Sequence, residues 1–495
     1  MGIVQRQALK GTIYAYAGVF IGFLTSGLLL PRLFSTEENG IIKLLIAYSG
    51  LLGQFFSLGF PAVSARLFPQ FRNNETKHNG FLGLNLLVAL AGTILLIAFY
   101  FILKPIIIAK GAESSPEFEN YIYLLLPLSC AVLFFYIIEG CFTAIYNATA
   151  SIITKDFIQR ILILLFIGLF FLDVIDFKQF AVFYTISLIS PTVIMYIWLH
   201  FTHEFNYKLH LNFIDKSLAK NMALTSLFGI LASFSSIIIL QLDSIMISTM
   251  IGLSATGIYS ITFYFGTLIK IPSRGLLKIS IPIVANAWKT NDIGKIGELY
   301  RQTSISQYIV AMFIFGGIWL NIDNVFKILP ETYLEGKYVI FFISLANFID
   351  MSTGITAVII STSNRYKVLT YFMLVLMVLV LVTNLIFIPI SGIVGAAYAS
   401  ALSMAVFNAL QIIHIYYYYK IIPFTVKHLY ATVIGILSYL IATSIPTVEF
   451  GFIYDIAIRS TIFTFLFIIP IYVFKIMPEL NNLADKYIIN KLKRN

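Results

Sequence analysis

About fourteen times between residues 9 and 474 the chain runs for some twenty residues on almost nothing but apolar side chains. That is the length a helix needs to cross a hydrocarbon layer of about 30 Å at 1.5 Å per residue. The windows fall near 9–30, 41–65, 80–103, 119–142, 152–172, 179–200, 218–243, 251–277, 302–321, 337–360, 367–388, 392–419, 427–445 and 452–474. They lack the alternation over ~10 residues that marks a membrane β-barrel. Only 11% of residues are charged and the mean hydropathy is +0.90, against roughly 25% charged in soluble domains. The expected fold class is an all-α integral membrane protein with about fourteen transmembrane helices. The opening MGIVQRQALKG is basic like a signal peptide, but the apolar run after it is long enough to span and has no small-residue cleavage pattern. It reads as a retained first helix. Prolines 61, 127, 191 and 272 fall inside predicted spans and are expected to interrupt them.

The net charge of +10 sits in short loops between spans, so it reads as loop charge and not as a nucleic-acid surface. With a cytoplasmic N-terminus, about 25 of the 33 Lys and Arg fall in inner loops and tails and about 6 in outer loops. Both termini are then cytoplasmic, the C-terminal one carrying Lys491, Lys493 and Arg494. Lys43 and Arg459 stand out because they lie inside spans. Cys130 and Cys141 share one predicted helix about 16 Å apart, too far for a disulfide.

An internal repeat follows from three weak matches at nearly one offset. STEENGII (Ser35 to Ile42) sets against GLSATGIY (Gly252 to Tyr259) at 217, TAIYNATAS (Thr143 to Ser151) against TAVIISTSN (Thr356 to Asn364) at 213, and Tyr184 and His200 against Tyr398 and His414 at 214. Six helices are duplicated by the next six, and six is even, so both copies enter the membrane in the same sense. The expected organisation is an N-lobe at 1–205, a C-lobe at 206–420, and two unrepeated helices with a tail at 421–495.

The residues GVFIGFLTSGLLLPRLFSTEENGIIKLL, the LDSIMIS of the seventh span with the GIYS turn after it, and NLIFIPISGIVGAAYASALS (Asn384 to Ser403) resemble the polysaccharide-transporter branch of the multidrug/oligosaccharidyl-lipid/polysaccharide exporter superfamily. The resemblance runs over essentially the whole chain. It implies a multi-pass flippase of the bacterial inner membrane that carries an undecaprenyl-pyrophosphate-linked oligosaccharide, an O-antigen type repeat unit, to the outer leaflet by alternating access. It further implies two six-helix lobes around a hydrated cavity, an extra helix pair for the lipid tail, and partners in the polysaccharide assembly machinery.

A pyrophosphate crossing a membrane needs cations in water-filled space, since charge facing lipid costs several kcal/mol. Lys270, Arg274 and Lys278 recur every four residues, on one face if the helix continues past Pro272. With Arg66 they form a candidate binding cluster at the inner mouth; Lys43 and Arg32 are candidates at the outer side. The alternative for the terminal cations is snorkelling at helix ends, and for Arg32 pairing with Glu37 or Glu38. Arg160 reads as an inner-end anchor.

Intramembrane acids are Glu139, Asp243, Asp350 and Asp455. Asp243 and Asp350 are candidates for ion coupling, with Asn384, Ser400 and Ser403 as further oxygens that suit a hard cation; an ion pair or hydrogen bond within a lobe is the other reading. The coupling ion stays open between Na⁺ and H⁺, and no other cofactor is expected. His203-Glu204 lacks the second histidine of a zinc protease, and Gly294-Lys295 lacks the rest of a phosphate loop. Gly18 and Gly22 read as close helix packing. Competing functions are a cation-coupled multidrug exporter and a membrane-bound polysaccharide polymerase or ligase, the latter disfavoured by outer loops of at most about 15 residues, too short for a sugar-transfer site.

Overall fold

A computed structural model describes residues 3–73, 75–111, 115–145, 147, 149–202, 207–446, 451–477 and 480–481, without the side chains of 3–12, 110, 111, 211, 274 and 278. The C-terminal cations and the His203-Glu204 pair lie outside the described residues. The chain forms two compact units, Met1–Ile261 and Thr262–Asn495. The division falls inside one helix, Leu253–Thr267.

The first unit contains α1 (Ile3–Gly22), α2 (Leu30–Leu33), α3 (Thr36–Phe56), α4 (Phe60–Phe71), α5 (Phe81–Gly111), α6 (Leu125–Ala144), α7 (Thr149–Ser151), α8 (Gln159–Phe171), α9 (Phe177–Thr202), α10 (Lys216–Met250) and the start of α11 (Leu253–Thr267). Two π-helical stretches, Phe23–Leu29 and Ile152–Ile158, join α1 to α2 and α7 to α8. Gly18 and Gly22 let α1 press against the second of these, because a side chain there would collide with the Asp156 carbonyl and with Arg160. Arg160 donates to the Gly18 carbonyl, so it braces a helix crossing. A Ser35/Glu38 capping box starts α3. The predicted span 41–65 is broken before Pro61: Leu58 (φ 54°) and Gly59 (φ 64°) are left-handed, and Pro61 opens the new helix. Gly59 and Gly229 bring α10 onto this break, and Ser226 donates its hydroxyl to the Leu58 carbonyl that the break leaves without a helical partner. Further along, α3 and α11 cross where Gly40 meets the Leu253 carbonyl.

The second unit holds the end of α11, α12 (Ser273–Lys289), α13 (Ile293–Leu320), α14 (Ile322–Ile328), α15 (Lys337–Ser352), α16 (Thr356–Thr362), α17 (Lys367–Tyr419), α18 (Val426–Thr443) and α19 (Phe452–Val473). The 53 residues of α17 are a helical hairpin, reversed at Ser391 and Gly392 (φ 58°). Thr383 and Ser403 share a hydrogen bond of 3.1 Å, which residues twenty apart on a straight helix, about 30 Å from each other, could not form.

Ten helices among the described residues are long and apolar enough to cross a membrane, eleven when Glu331–Ser352 and Thr356–Thr362, bent by 51°, make one span. This is a multi-pass helical membrane protein. The number is lower than about fourteen for local reasons: 367–388 and 392–419 run together as α17, a π stretch with Lys155 and Asp156 opens 152–172, and Leu268–Pro272 interrupts 251–277.

Candidate functional site

Each unit holds a cluster in which a lysine and an aspartate from different helices come together. In the first, Lys43 on α3 donates its Nζ to Gln241 Oε1 on α10 at 2.9 Å and feels the charge of Asp243. Asp243, 3% exposed, accepts a hydrogen bond of 2.7 Å from the Tyr259 hydroxyl on α11. Gln241 and Asp243 stand two residues apart on α10, and Tyr259 belongs to the GIYS segment, which is helical within α11 and not the expected turn. Lys43 and Asp243, expected to act separately on substrate and ion, thus belong to one cluster.

The second cluster sits where two helices break. α11 tightens into a 3₁₀ turn at Leu268–Lys270, and Pro272, which has no N–H, caps the start of α12. The row Lys270, Arg274, Lys278 is therefore not one helical face: the break at Pro272 puts Lys270 on a different element from the other two. The side chains of Arg274 and Lys278 lie outside the described residues. α15 ends at Ser352 and α16 begins at Thr356, with Gly354 at φ 65° between them.

Lys270 Nζ pairs with Asp350 Oδ2 across these two breaks, the side chains 41% and 24% exposed. Asn408 on α17 donates to Asp350 Oδ1 at 3.4 Å and accepts from Thr353 Oγ1 at 3.0 Å. Broken helices frame charged sites in membrane transporters because unwound backbone is tolerated only where protein or water satisfies it.

The other candidates are distributed more widely. Arg32 is exposed at the end of α2 and Arg66 is exposed on α4. Asn384 is fully buried and Ser400 half-buried, on opposite arms of the α17 hairpin, while Ser403 bonds to Thr383. Asp350 pairs with Lys270 and accepts from Asn408 Nδ2, so what α17 offers this carboxylate is an amide N–H and not an oxygen. Gln241, Tyr259, Thr353 and Asn408 were not anticipated. The available signal was a carboxamide inside an apolar run, which a lipid-facing position would not tolerate. Asp455 and Arg459 pair within α19, Arg459 Nε lying 2.9 Å from both carboxylate oxygens. Asn324 Nδ2 donates to Asp455 at 2.6 Å and Arg459 Nη2 to the Ile445 carbonyl at 2.8 Å. Lys327 Nζ donates to Asn324 Oδ1 at 3.2 Å, and the network fastens α19 to α14.

No protein-family model and no curated protein matches the chain. Solved structures do. Lipid II flippase MurJ in an inward closed conformation superposes with a TM-score of 0.70 at 15% identity, covering 93% of this chain and 97% of that one. The chain therefore has a fold like that of MurJ. An inward-facing multidrug resistance MATE family transporter of the MOP superfamily gives a TM-score of 0.63 at 13% identity over 82% of this chain and 93% of its own. An outward-facing one gives 0.53 at 15% over 83% and 95%. At such identities the likeness is one of fold.

Proposed function

We propose that the protein is a flippase that moves an undecaprenyl-pyrophosphate-linked oligosaccharide, a polysaccharide repeat unit, from the cytoplasmic to the outer leaflet of the bacterial inner membrane. The observation that carries this reading is the pair of lysines, Lys43 inside α3 and Lys270 at the break between α11 and α12, beside Asp243 and Asp350. A cation placed there at a cost of several kcal/mol suits a doubly anionic headgroup better than a cationic drug. The MurJ likeness, which extends over about a tenth more of this chain than the MATE likenesses, supports the same choice.

In this reading fourteen passes put both termini in the cytoplasm, residues 1–205 and 206–420 are lobes that alternate access, and 421–495 serve the lipid tail. Lys43, Arg32, Arg66, Lys270, Arg274 and Lys278 attract the pyrophosphate at successive depths. Asp243 and Asp350 give up their lysines to it and take up the coupling ion, with Asn384, Ser400 and Ser403 lining the path. The coupling ion in this reading is Na⁺ or H⁺, either of which would take the place of the lysine charge at the carboxylate. Sugar chains delivered outside would pass to polysaccharide assembly machinery.

Reconstitution into liposomes with a fluorescent undecaprenyl-pyrophosphate oligosaccharide tests this. The wild-type protein should expose the sugar to an external quencher, with Lys43→Ala and Lys270→Ala each slowing it at least tenfold. Wild-type rates in both variants would remove the site assignment. Efflux of cationic drugs without any movement of the lipid-linked sugar would favour the multidrug exporter.

A further inference from the structure

α18 and α19 have no counterpart in the repeat, yet α18 reaches the bend that carries Asp350 through two hydrogen bonds in series. His428, 7% exposed, stands at the third position of α18. The Thr425 backbone N–H donates to its Nδ1 at 3.1 Å. A neutral imidazole whose Nδ1 accepts carries its proton on Nε2, and Nε2 lies 3.1 Å from the Ser304 hydroxyl of α13. The Ser304 hydroxyl in turn donates at 2.6 Å to the carbonyl of Ser352, the last residue of α15. Nδ1 also lies 3.2 Å from the Thr425 carbonyl and hydroxyl, so the direction is set at the other end: the one proton of Ser304 goes to the Ser352 carbonyl, which leaves the Ser304 oxygen to accept from Nε2.

The bend itself rests on the same spot. A side chain at Gly354 would strike the Ser304 backbone, so the 353–355 turn lies directly on α13. A second tie runs parallel: the Tyr308 hydroxyl bonds Thr432 of α18 at 2.6 Å, and the Tyr308 ring packs on Phe348 and on His428 at 5.0 and 5.1 Å. Phe348 and Ser352 flank Asp350 by two residues on either side.

We infer that His428 is a positioning residue, through which the unrepeated C-terminal helices hold the α15–α16 bend so that Asp350 meets Lys270. This rests on the flippase reading for its activity arm but not for its structural arm. The added helices then tune the charged pair as well as contacting lipid.

Two substitutions at one position separate the tether from the cap. In His428→Asn the carboxamide oxygen replaces Nδ1 and keeps the cap but cannot reach Ser304; in His428→Gln the amide nitrogen replaces Nε2 and reaches Ser304. With the fluorescent undecaprenyl-pyrophosphate oligosaccharide in liposomes, His428→Asn and Ser304→Ala should lower the maximal flipping rate about fivefold, the weight of one neutral hydrogen bond. The double variant should be no slower than either single one, His428→Gln should stay near wild type, and all should melt within a few degrees of wild type. Hydrogen exchange of amides 352–356 in the full-length protein reads the same link without substrate and should quicken in Ser304→Ala.

Unchanged exchange, wild-type flipping in His428→Asn and Ser304→Ala, or equal impairment of the Gln and Asn variants would each overturn the inference. If the wild-type protein moves no lipid-linked sugar, the flippase reading fails and the exchange arm alone decides. Should His428→Asn not fold, Ser304→Ala carries the test.

Discussion

Gly40 and Gly257 make the same contact in opposite directions. Gly40 lies against the carbonyl of Leu253 and Gly257 against the carbonyl of Thr36, and both pairs of positions are 217 residues apart. The hydroxyls of Thr36 and Ser254 close the crossing at 2.7 Å. Such reciprocity is what a two-fold axis between duplicated segments would produce, and the Gly-Ile pair shared by the two segments falls at this crossing of α3 and α11.

Alanine at either glycine would force a Cβ into a backbone carbonyl that no rotamer change can move aside. Gly40→Ala and Gly257→Ala should each destabilise the protein by about 1–3 kcal/mol, the usual cost of overpacking. By symmetry the two should have similar effects, and thermal melting in detergent checks both. A variant that melts like wild type would mean the helices part more easily than their contact implies.

The spans were legible because bilayer length and hydrophobicity leave few alternatives, and the packing of Gly18 and Gly22 because their four-residue spacing puts them on one face. The charged partners were not. Nothing in a linear chain says that Lys270 meets Asp350 eighty residues on, since that choice is made by two breaks, at Pro272 and Gly354, whose relative placement depends on tertiary packing. The four-residue spacing of Lys270, Arg274 and Lys278 misled for the same reason: spacing predicts a face only while the helix lasts, and Pro272 ends it.

Lys270 and Asp350 should behave as a coupled pair. Each single change, Lys270→Ala or Asp350→Ala, should slow flipping strongly, while a double-mutant cycle on melting temperature should give a coupling of only about 1 kcal/mol, because both side chains are partly exposed. The charge reversal Lys270→Asp with Asp350→Lys should recover stability but not transport, since the cation then stands on the other helix. Full recovery of transport would indicate that only the pairing matters.

Lys43 should be separable in another way. Lys43→Met leaves Asp243 buried with Tyr259 as its hydrogen-bond donor, and should lower the melting temperature as well as flipping. Adding Asp243→Asn removes the uncompensated charge, so the double variant should regain stability and remain inactive. If activity returned with stability, Lys43 would be a structural residue and not a headgroup ligand.

Asp455 and Arg459 predict the opposite pattern. Their side chains are 4% and 10% exposed, and breaking a buried pair by removing one partner costs about 3–5 kcal/mol. Arg459→Met or Asp455→Leu alone should therefore sharply lower the melting temperature, while the two changes together should restore most of it. Flipping per folded molecule should be little altered, because this network touches α14 and the 445 carbonyl and neither charged cluster.

The tight reversal at Ser391–Gly392 bears on how motion in this protein can be measured. Two helices joined by a two-residue turn and pinned by Thr383 and Ser403 cannot slide or splay independently, so spin labels or fluorophores placed one on each arm of the hairpin form a ruler of fixed length. Whatever distance changes are recorded elsewhere during a transport cycle, that pair supplies the internal standard against which they are calibrated.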